Sequence, residues 1–225
     1  KKQPGHPAVL QTVTLEKLSI HTGLPVPYLE QYKLKNNINR LGESEILVPY
    51  YDEERKPIRP RRRTAITGTD KYKWDGKSGT VTSVYGLWKL HEARKSGYLI
   101  IVEGESDCWT LWNYEYPCIG IPGSTNCKTL TRIQYHGINK IYIFQENDKA
   151  GSEFPGKVKT HLEKTDFKGE IFILKDTGYK DPNELHKQDS SHFKERIDAA
   201  IAIAANNGEK KLYEAILSME ELFKL

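Results

Sequence analysis

Tyr98-Leu99-Ile100-Ile101-Val102-Glu103-Gly104-Glu105-Ser106-Asp107 is the stretch that decides how this chain folds. Four apolar residues, mostly β-branched, run straight into a glutamate, a glycine and an aspartate. A short continuous apolar run that stops abruptly predicts a strand buried in a parallel sheet. In open α/β sheets ligands bind just beyond the carboxyl ends of such strands, and Glu103 and Asp107 fall there. Gly104 lets the chain turn tightly and brings its backbone close to whatever the carboxylates hold.

Working outward, two further runs follow the same pattern. Lys140-Ile141-Tyr142-Ile143-Phe144 ends in Gln145-Glu146-Asn147-Asp148-Lys149-Ala150-Gly151, and Glu170-Ile171-Phe172-Ile173-Leu174 is followed by Lys180-Asp181-Pro182-Asn183-Glu184. Glu146 and Asp148, two residues apart in an extended segment, lie on one side of the chain. Hard divalent cations take clustered oxygens, and Mg2+ is held by one or two carboxylates together with substrate phosphates. Between these runs the pattern alternates: strand 99–102, helix about 107–115, strand 118–121, helix about 127–135, strand 140–144, helix about 152–164, strand 170–174. That order predicts an α/β fold, a parallel sheet with helices on both faces. Pro122-Gly123-Ser124-Thr125-Asn126 follows the second strand. It reads equally as a phosphate cradle at a helix start or as a plain capping loop.

Glu-Gly-Glu-Ser-Asp after one strand, an acid-x-Asp-x-Ala-Gly after another and Lys-Asp-Pro-Asn-Glu after a third resemble the Toprim domain shared by bacterial-type primases, topoisomerases and some nucleases. Val48-Pro49-Tyr50-Tyr51-Asp52 and Tyr85-Gly86-Leu87-Trp88 are similar to the primase part of phage primase–helicases, and the resemblance runs from about Ile46 to His186. It implies that Glu103 is the acid/base residue or organises the metals. Glu146 and Asp148 would then be the principal metal ligands, with Asp107 and Asp181 helping to hold a second ion. Glu105 is expected to be a bystander, and Glu184 to cap a helix or bind metal. One departure stands out: the paired-acid motif normally opens with Asp, and here it opens with Glu146.

The segment before the core is basic. Six positive side chains lie between Arg59 and Lys73, against one acid, Asp70. Strands are expected over Ile46–Tyr51 and Pro57–Thr67, and Lys71-Tyr72-Lys73-Trp74 alternates basic and aromatic residues, which suits phosphates and stacked bases. Arg61, Arg62, Arg63, Lys71, Lys73 and Lys149 are the expected grip on nucleotide and template. Leu87–Lys95 predicts a helix. Further upstream, Thr14–His21 and Val26–Tyr32 predict two short helices around Gly23, capped by Thr12 or Thr14. The second helix lacks the Arg, Asn and Gln that read bases, so a helical hairpin packed on the catalytic domain is favoured over a DNA-reading helix-turn-helix. The tail predicts two helices, one carrying Phe193, Ile197, Ala200, Ile201 and Ala204, broken at Asn206-Asn207-Gly208. The expected organisation is therefore a helical segment (1–45), a β-rich basic subdomain (46–96), a Toprim-type domain (97–188) and a C-terminal helical segment (189–225).

At 225 residues, 37% hydrophobic and 28% charged, the composition is that of a globular protein with one ordinary domain and an appendage. No apolar run approaches a membrane span. Lys1-Lys2-Gln3-Pro4 leads into no apolar core, so no secretory signal is expected, and the abrupt start suggests a piece of something longer. Residues 1–11 are expected to be mobile. Cys108, Cys118 and Cys127 lack paired spacing, which argues for free thiols and no zinc. The expected activity is metal-dependent synthesis of short RNA primers from nucleoside triphosphates on single-stranded DNA, with Mg2+ or Mn2+ as cofactor, two or more ions per site. A replicative helicase, fused or separate, is an expected partner, with no membrane, in the cytoplasm of a bacterial, phage or mobile-element system. The alternatives are a Toprim-type nuclease and a non-catalytic nucleic-acid-binding module.

Overall fold

The computed structural model describes residues 12–68, 71–75, 83–147, 153–175 and 177–222, without the side chains of residues 124, 125 and 208–222. The chain divides into two compact units, residues up to Tyr50 with Pro57–Thr80, and Tyr51–Lys56 with Val81 onward. The helical segment therefore folds with the basic strands, and the tail with the acid-bearing sheet.

In the first unit, α1 (Leu15–Thr22) starts at Thr14, whose hydroxyl accepts from Lys17 N, and stops at Gly23, left-handed at φ 74°. Pro25 opens α2 (Val26–Gln31). Four antiparallel strands follow in the order β1 (Lys35–Ile38), β2 (Ser44–Val48), β3 (Arg61–Arg63) and β4 (Tyr72–Trp74). The helical hairpin is fastened to this sheet: Leu15 N donates to Asn36 Oδ1 and Val13 N to Ser44 Oγ, both at 2.7 Å. Strand formation is confined to Arg61–Arg63 within the expected Pro57–Thr67, because Pro57 and Pro60 offer no N–H to a ladder.

The second unit is built on a parallel sheet ordered β6 (Cys118–Gly120), β5 (Tyr98–Val102), β7 (Lys140–Phe144), β8 (Glu170–Leu174). Side chains alternate across it. Leu99, Ile101, Ile119, Ile141 and Ile143 form one core with α3 (Leu90–Ser96) and α5 (Phe154–Lys164). Ile100, Val102, Tyr142 and Phe144 are buried on the opposite face. There α4 (Glu105–Asn113) packs on β6 and α7 (Phe193–Leu222) on β8, while α6 (Pro182–Asp189) packs on α4. Each leucine or isoleucine so buried contributes roughly 1.5–3 kcal/mol. An aromatic layer closes the end near Tyr85. Trp109 Nε1 donates to Tyr85 Oη at 2.7 Å, and Trp112 Nε1 donates to Cys118 O. Gly86, at φ 91°, has no room for a Cβ, which would lie 2.7 Å from the Trp112 ring.

Two expectations are corrected. The helix expected at 127–135 is a short 3-10 helix, Ser124–Thr129, followed by turns in which the Gln134 side chain accepts from Thr131 N. Turn chemistry at Asn126 and Thr129, whose side chains bond nearby carbonyls, competes with helix there. The tail is one helix of 30 residues, without the break expected at Asn206-Asn207-Gly208. A glycine costs only about 1 kcal/mol in a helix, and strong helix formers stand on both sides of it.

Candidate functional site

All four strands of the second sheet are parallel, so all four exits lie at one edge. From β5 the chain crosses through α4 to β6 on one side. From β7 it crosses through α5 to β8 on the other. The order reverses between β5 and β7, and a crevice opens at such a switch point. The register Ile101 to Ile143 sets Glu103 level with Gln145 and one residue short of Glu146. Glu103 and Glu146, both half-buried, therefore flank the switch point from adjacent strands.

Close backbone packing holds this edge. A Cβ on Gly120 would come within 3.1 Å of Gly104 O and 3.0 Å of Cys108 Sγ, so a side chain at the end of β6 would push the turn after Glu103 outward by a few tenths of an ångström. Gly104 N-caps α4 without a side-chain bond. Asp107 is buried and folds back over the start of its own helix, Oδ2 lying 3.1 Å from where a Gly104 Cβ would be. Glu105, expected to be a bystander, is only 2% exposed. Both acids stand in the first turn of α4, where the helix dipole favours negative charge.

Asn147 N donates to Lys180 O, and Gln145 N to Leu174 O, so the loops after β7 and β8 run side by side. Asp181 Oδ1 accepts from Glu184 N, and Glu184 Oε2 accepts from Lys180 N, each at 2.7 Å. The Lys-Asp-Pro-Asn-Glu motif is thus the start of α6, a reciprocal cap with proline at the first helical position. Glu184 caps a helix, and Asp181 commits one carboxylate oxygen to the same task. Asp148 and Lys149 lie outside the described residues. Among those described, no group of three His, Cys, Asp or Glu side chains is gathered as a metal site. Of the five acids expected here, the four described stand as Glu103 and Glu146 at the exits of adjacent strands and Asp107 and Asp181 at flanking helix starts. The 3-10 helix after Gly123 is too short for a dipole-assisted phosphate cradle.

Cys108 and Cys118 are buried and Cys127 partly so, all three free. Burial pushes the Cys108 thiol well above its ordinary value, helped by neighbouring Cys118, Asp107 and Glu105. It is an inert packing residue.

In the first unit the basic residues divide by face. Pairing sets Arg61 against Val48 and Trp74, Arg63 against Ile46 and Tyr72, and Arg62 against Leu47 and Lys73. Arg63 is 0% exposed. Its guanidinium donates to Ala65 O, Ile66 O and Tyr72 Oη. It is a core strut, and the expectation that it grips phosphate is corrected: three of its five N–H groups are spent inside the fold and the side chain is wholly buried. Arg61 lies over the Tyr72 and Trp74 rings at 4.5 and 5.3 Å, so the aromatic stripe stacks its own arginines. Arg62 stands on the other face between Glu45 and Asp75, 3.6 Å from an oxygen of each. Lys73 is exposed beside it and Lys71 is half-buried. Sequence reasoning missed Glu45, because its partnership with Arg62 depends on the register of β2 against β3 across a long connection.

Residues 100–186 match the family model described as Toprim-like. No curated protein matches the chain in sequence. Among solved structures, the chain is similar to a DnaG catalytic core, with 15% identity and a TM-score of 0.62, over 82% of this chain and 71% of that one. It is similar to a DnaG primase catalytic domain bound to single-stranded DNA, with 15% identity and a TM-score of 0.58, over 82% and 70%. The primase fragment of the bacteriophage T7 primase–helicase protein shares 16% identity and a TM-score of 0.57, over 91% and 83%. At these identities the likeness shows the fold. No helix among the described residues is long and apolar enough to cross a membrane.

Proposed function

With a Toprim-like domain at residues 100–186, in a chain with the fold of primase catalytic cores, as the premise, we propose that this protein is a primase catalytic core. It joins nucleoside triphosphates into short RNA on single-stranded DNA, and works with a replicative helicase, fused or separate. One observation carries this reading: Glu103 and Glu146 flank the switch point of the parallel sheet, where α/β enzymes bind their substrates.

The donors at this edge are carboxylate oxygens, the hard ligands that suit Mg2+ or Mn2+, and a pair of them with substrate phosphates suffices for Mg2+. Glu146 would hold such an ion, with Asp148 two residues on in sequence, and Glu103 across the switch point would serve as the acid/base group. The chemistry such an ion would supply when bound is offsetting of the triphosphate charge and a more acidic primer hydroxyl. Glu103 takes the proton from the 3′-hydroxyl as its oxygen bonds to the α-phosphorus and the bond to pyrophosphate breaks. The tie between Asn147 and Lys180 holds the Glu146 loop in place. Asp107 and Asp181 act as positioning residues through the helix starts they stabilise. Lys71, Lys73 and Arg61 supply positive charge for template and nucleotide.

Incubating the protein with primed single-stranded DNA, labelled nucleoside triphosphates and Mg2+ or Mn2+ tests this. Extension supports the proposal. Degradation would make it a nuclease, and binding without turnover a non-catalytic module.

A further inference from the structure

One face of the first sheet holds a charged system that the proposed chemistry does not use. Pairing opposes Asn37 to Glu45 and Leu47 to Arg62, and paired residues share a face. Glu45 is 1% exposed although it stands on the face opposite Ile46 and Val48. Its Oε1 accepts from Asn37 Nδ2 at 2.7 Å. Its Oε2 is buried and, among the described residues, has no hydrogen-bond partner, Arg62 Nη1 standing 3.6 Å away. Arg62 Nε is likewise buried without a hydrogen bond, 3.6 Å from Asp75 Oδ1. Separations of 3.6 Å exceed hydrogen-bond length, and a buried charged group left without its bond is costly. An acceptor and a donor thus stand side by side. They line a groove of about 570 Å³ with Leu47, Ile38, Leu41 and Arg40, a size ordinary for small-ligand sites.

We propose that this groove is a nucleobase site, selective for a base with an exocyclic amino group. The amino group donates to Glu45 Oε2, and the adjacent ring nitrogen accepts from Arg62. Cytosine presents this pair as N4 and N3, and a carboxylate accepting from cytosine N4 is an established base contact. Thymine and uracil place a carbonyl oxygen where cytosine has N4, and two acceptors then repel. Leu47, Ile38 and Leu41 offer an apolar bed for the ring, and Arg40 stands at the rim for a phosphate. Arg62 covers Glu45 loosely, with long ion pairs and a side chain 28% exposed, and the amino group of the base replaces its contact with the buried carboxylate when it shifts. The base comes either from the template strand or from a free nucleotide. The site lies within the first unit and depends on neither the acids nor a metal.

Anisotropy titrations in EDTA with labelled oligo-dC and oligo-dT of equal length test the template source. Competition by CTP against UTP tests the nucleotide source. The expected result is a preference of roughly tenfold for cytosine over its partner in one of the two arms, the size of one good base contact. That preference should vanish in Glu45→Gln. It should also shrink in Asn37→Ala, which removes only the side chain holding Glu45 and serves if the buried substitution fails to fold. Equal binding of cytosine and thymine or uracil in both arms overturns the proposal. So does a preference unchanged in folded Glu45→Gln or, failing that, in Asn37→Ala. Because no turnover is read, these outcomes stand apart from any failure of the primase reading.

Discussion

Glu103 should separate turnover from grip. Glu103→Gln keeps the shape of the side chain and loses its charge, so product formation should fall by about a hundredfold or more while single-stranded DNA binding stays within twofold or so. Primer extension and anisotropy on the same preparation check both halves. Arg63 should behave in the opposite way. Arg63→Ala strips the charged donors from two backbone carbonyls and a tyrosine hydroxyl and leaves a cavity, at a cost of about 3 kcal/mol or more. Urea unfolding should show that loss, whereas Lys73→Ala on the exposed face should fall within about 0.5 kcal/mol of the parent. Glu146 carries one more methylene than the aspartate usual in the motif. Its carboxylate reaches roughly an ångström further, and Mg2+ tolerates displaced ligands poorly. Extension by the parent should therefore favour Mn2+, and Glu146→Asp should move the optimum toward Mg2+. Identical metal profiles in the two proteins would mean that the backbone after Phe144 has absorbed the difference.

At the scale of elements, the junction between α6 and α7 carries its own pH signature. Asp189 accepts from His192 Nδ1 and Arg196 Nε, both at 2.6 Å, with Ser191 alongside and Tyr179 beneath Arg196. His192 holds Asp189 below its ordinary value, helped by Arg196, and Asp189 in turn holds His192 above its own. A raised histidine stabilises fully below its unfolded value and loses that contribution as pH rises through the folded one. A depressed aspartate stabilises fully above its unfolded value and loses that contribution as pH falls through the folded one. Both contributions are present between the ordinary values of about 3.8 and 6.5. The melting-temperature difference between the parent and His192→Ala should therefore peak in that window and shrink on either side. A flat difference would show that the junction adds nothing. The strands of the parallel sheet were legible because burial on both faces writes an unbroken apolar run, as in Ile141–Phe144. The cap by Glu184 was one of two readings, and Asp181 was read only as an ion ligand, although an acid three residues before a glutamate at a proline marks a helix start. The 127–135 region misled because its apolar residues Leu130 and Tyr135 serve the core from outside any α-helix. The basic sheet was half legible. Its charge could be counted, but which arginine turned inward depended on pairing with Ile46 and Tyr72, and no local pattern encodes that.

For the molecule as a whole, single-strand binding should depend on salt, with about 0.7 in log–log slope for each phosphate neutralised. Lys73→Ala and Arg40→Ala should flatten the slope, and Arg63→Ala, where it folds, should not. On the proposed reading the two units divide the work, one presenting charge to a strand and the other presenting acids to a triphosphate. The most direct test of that division is extension of a primed template with labelled nucleoside triphosphates and Mn2+ or Mg2+, by the parent and by Glu103→Gln at equal DNA occupancy. We predict a ladder of extended products from the parent and none from Glu103→Gln. Extension by Glu103→Gln at the parental rate, or shortening of the template by the parent, would contradict the account.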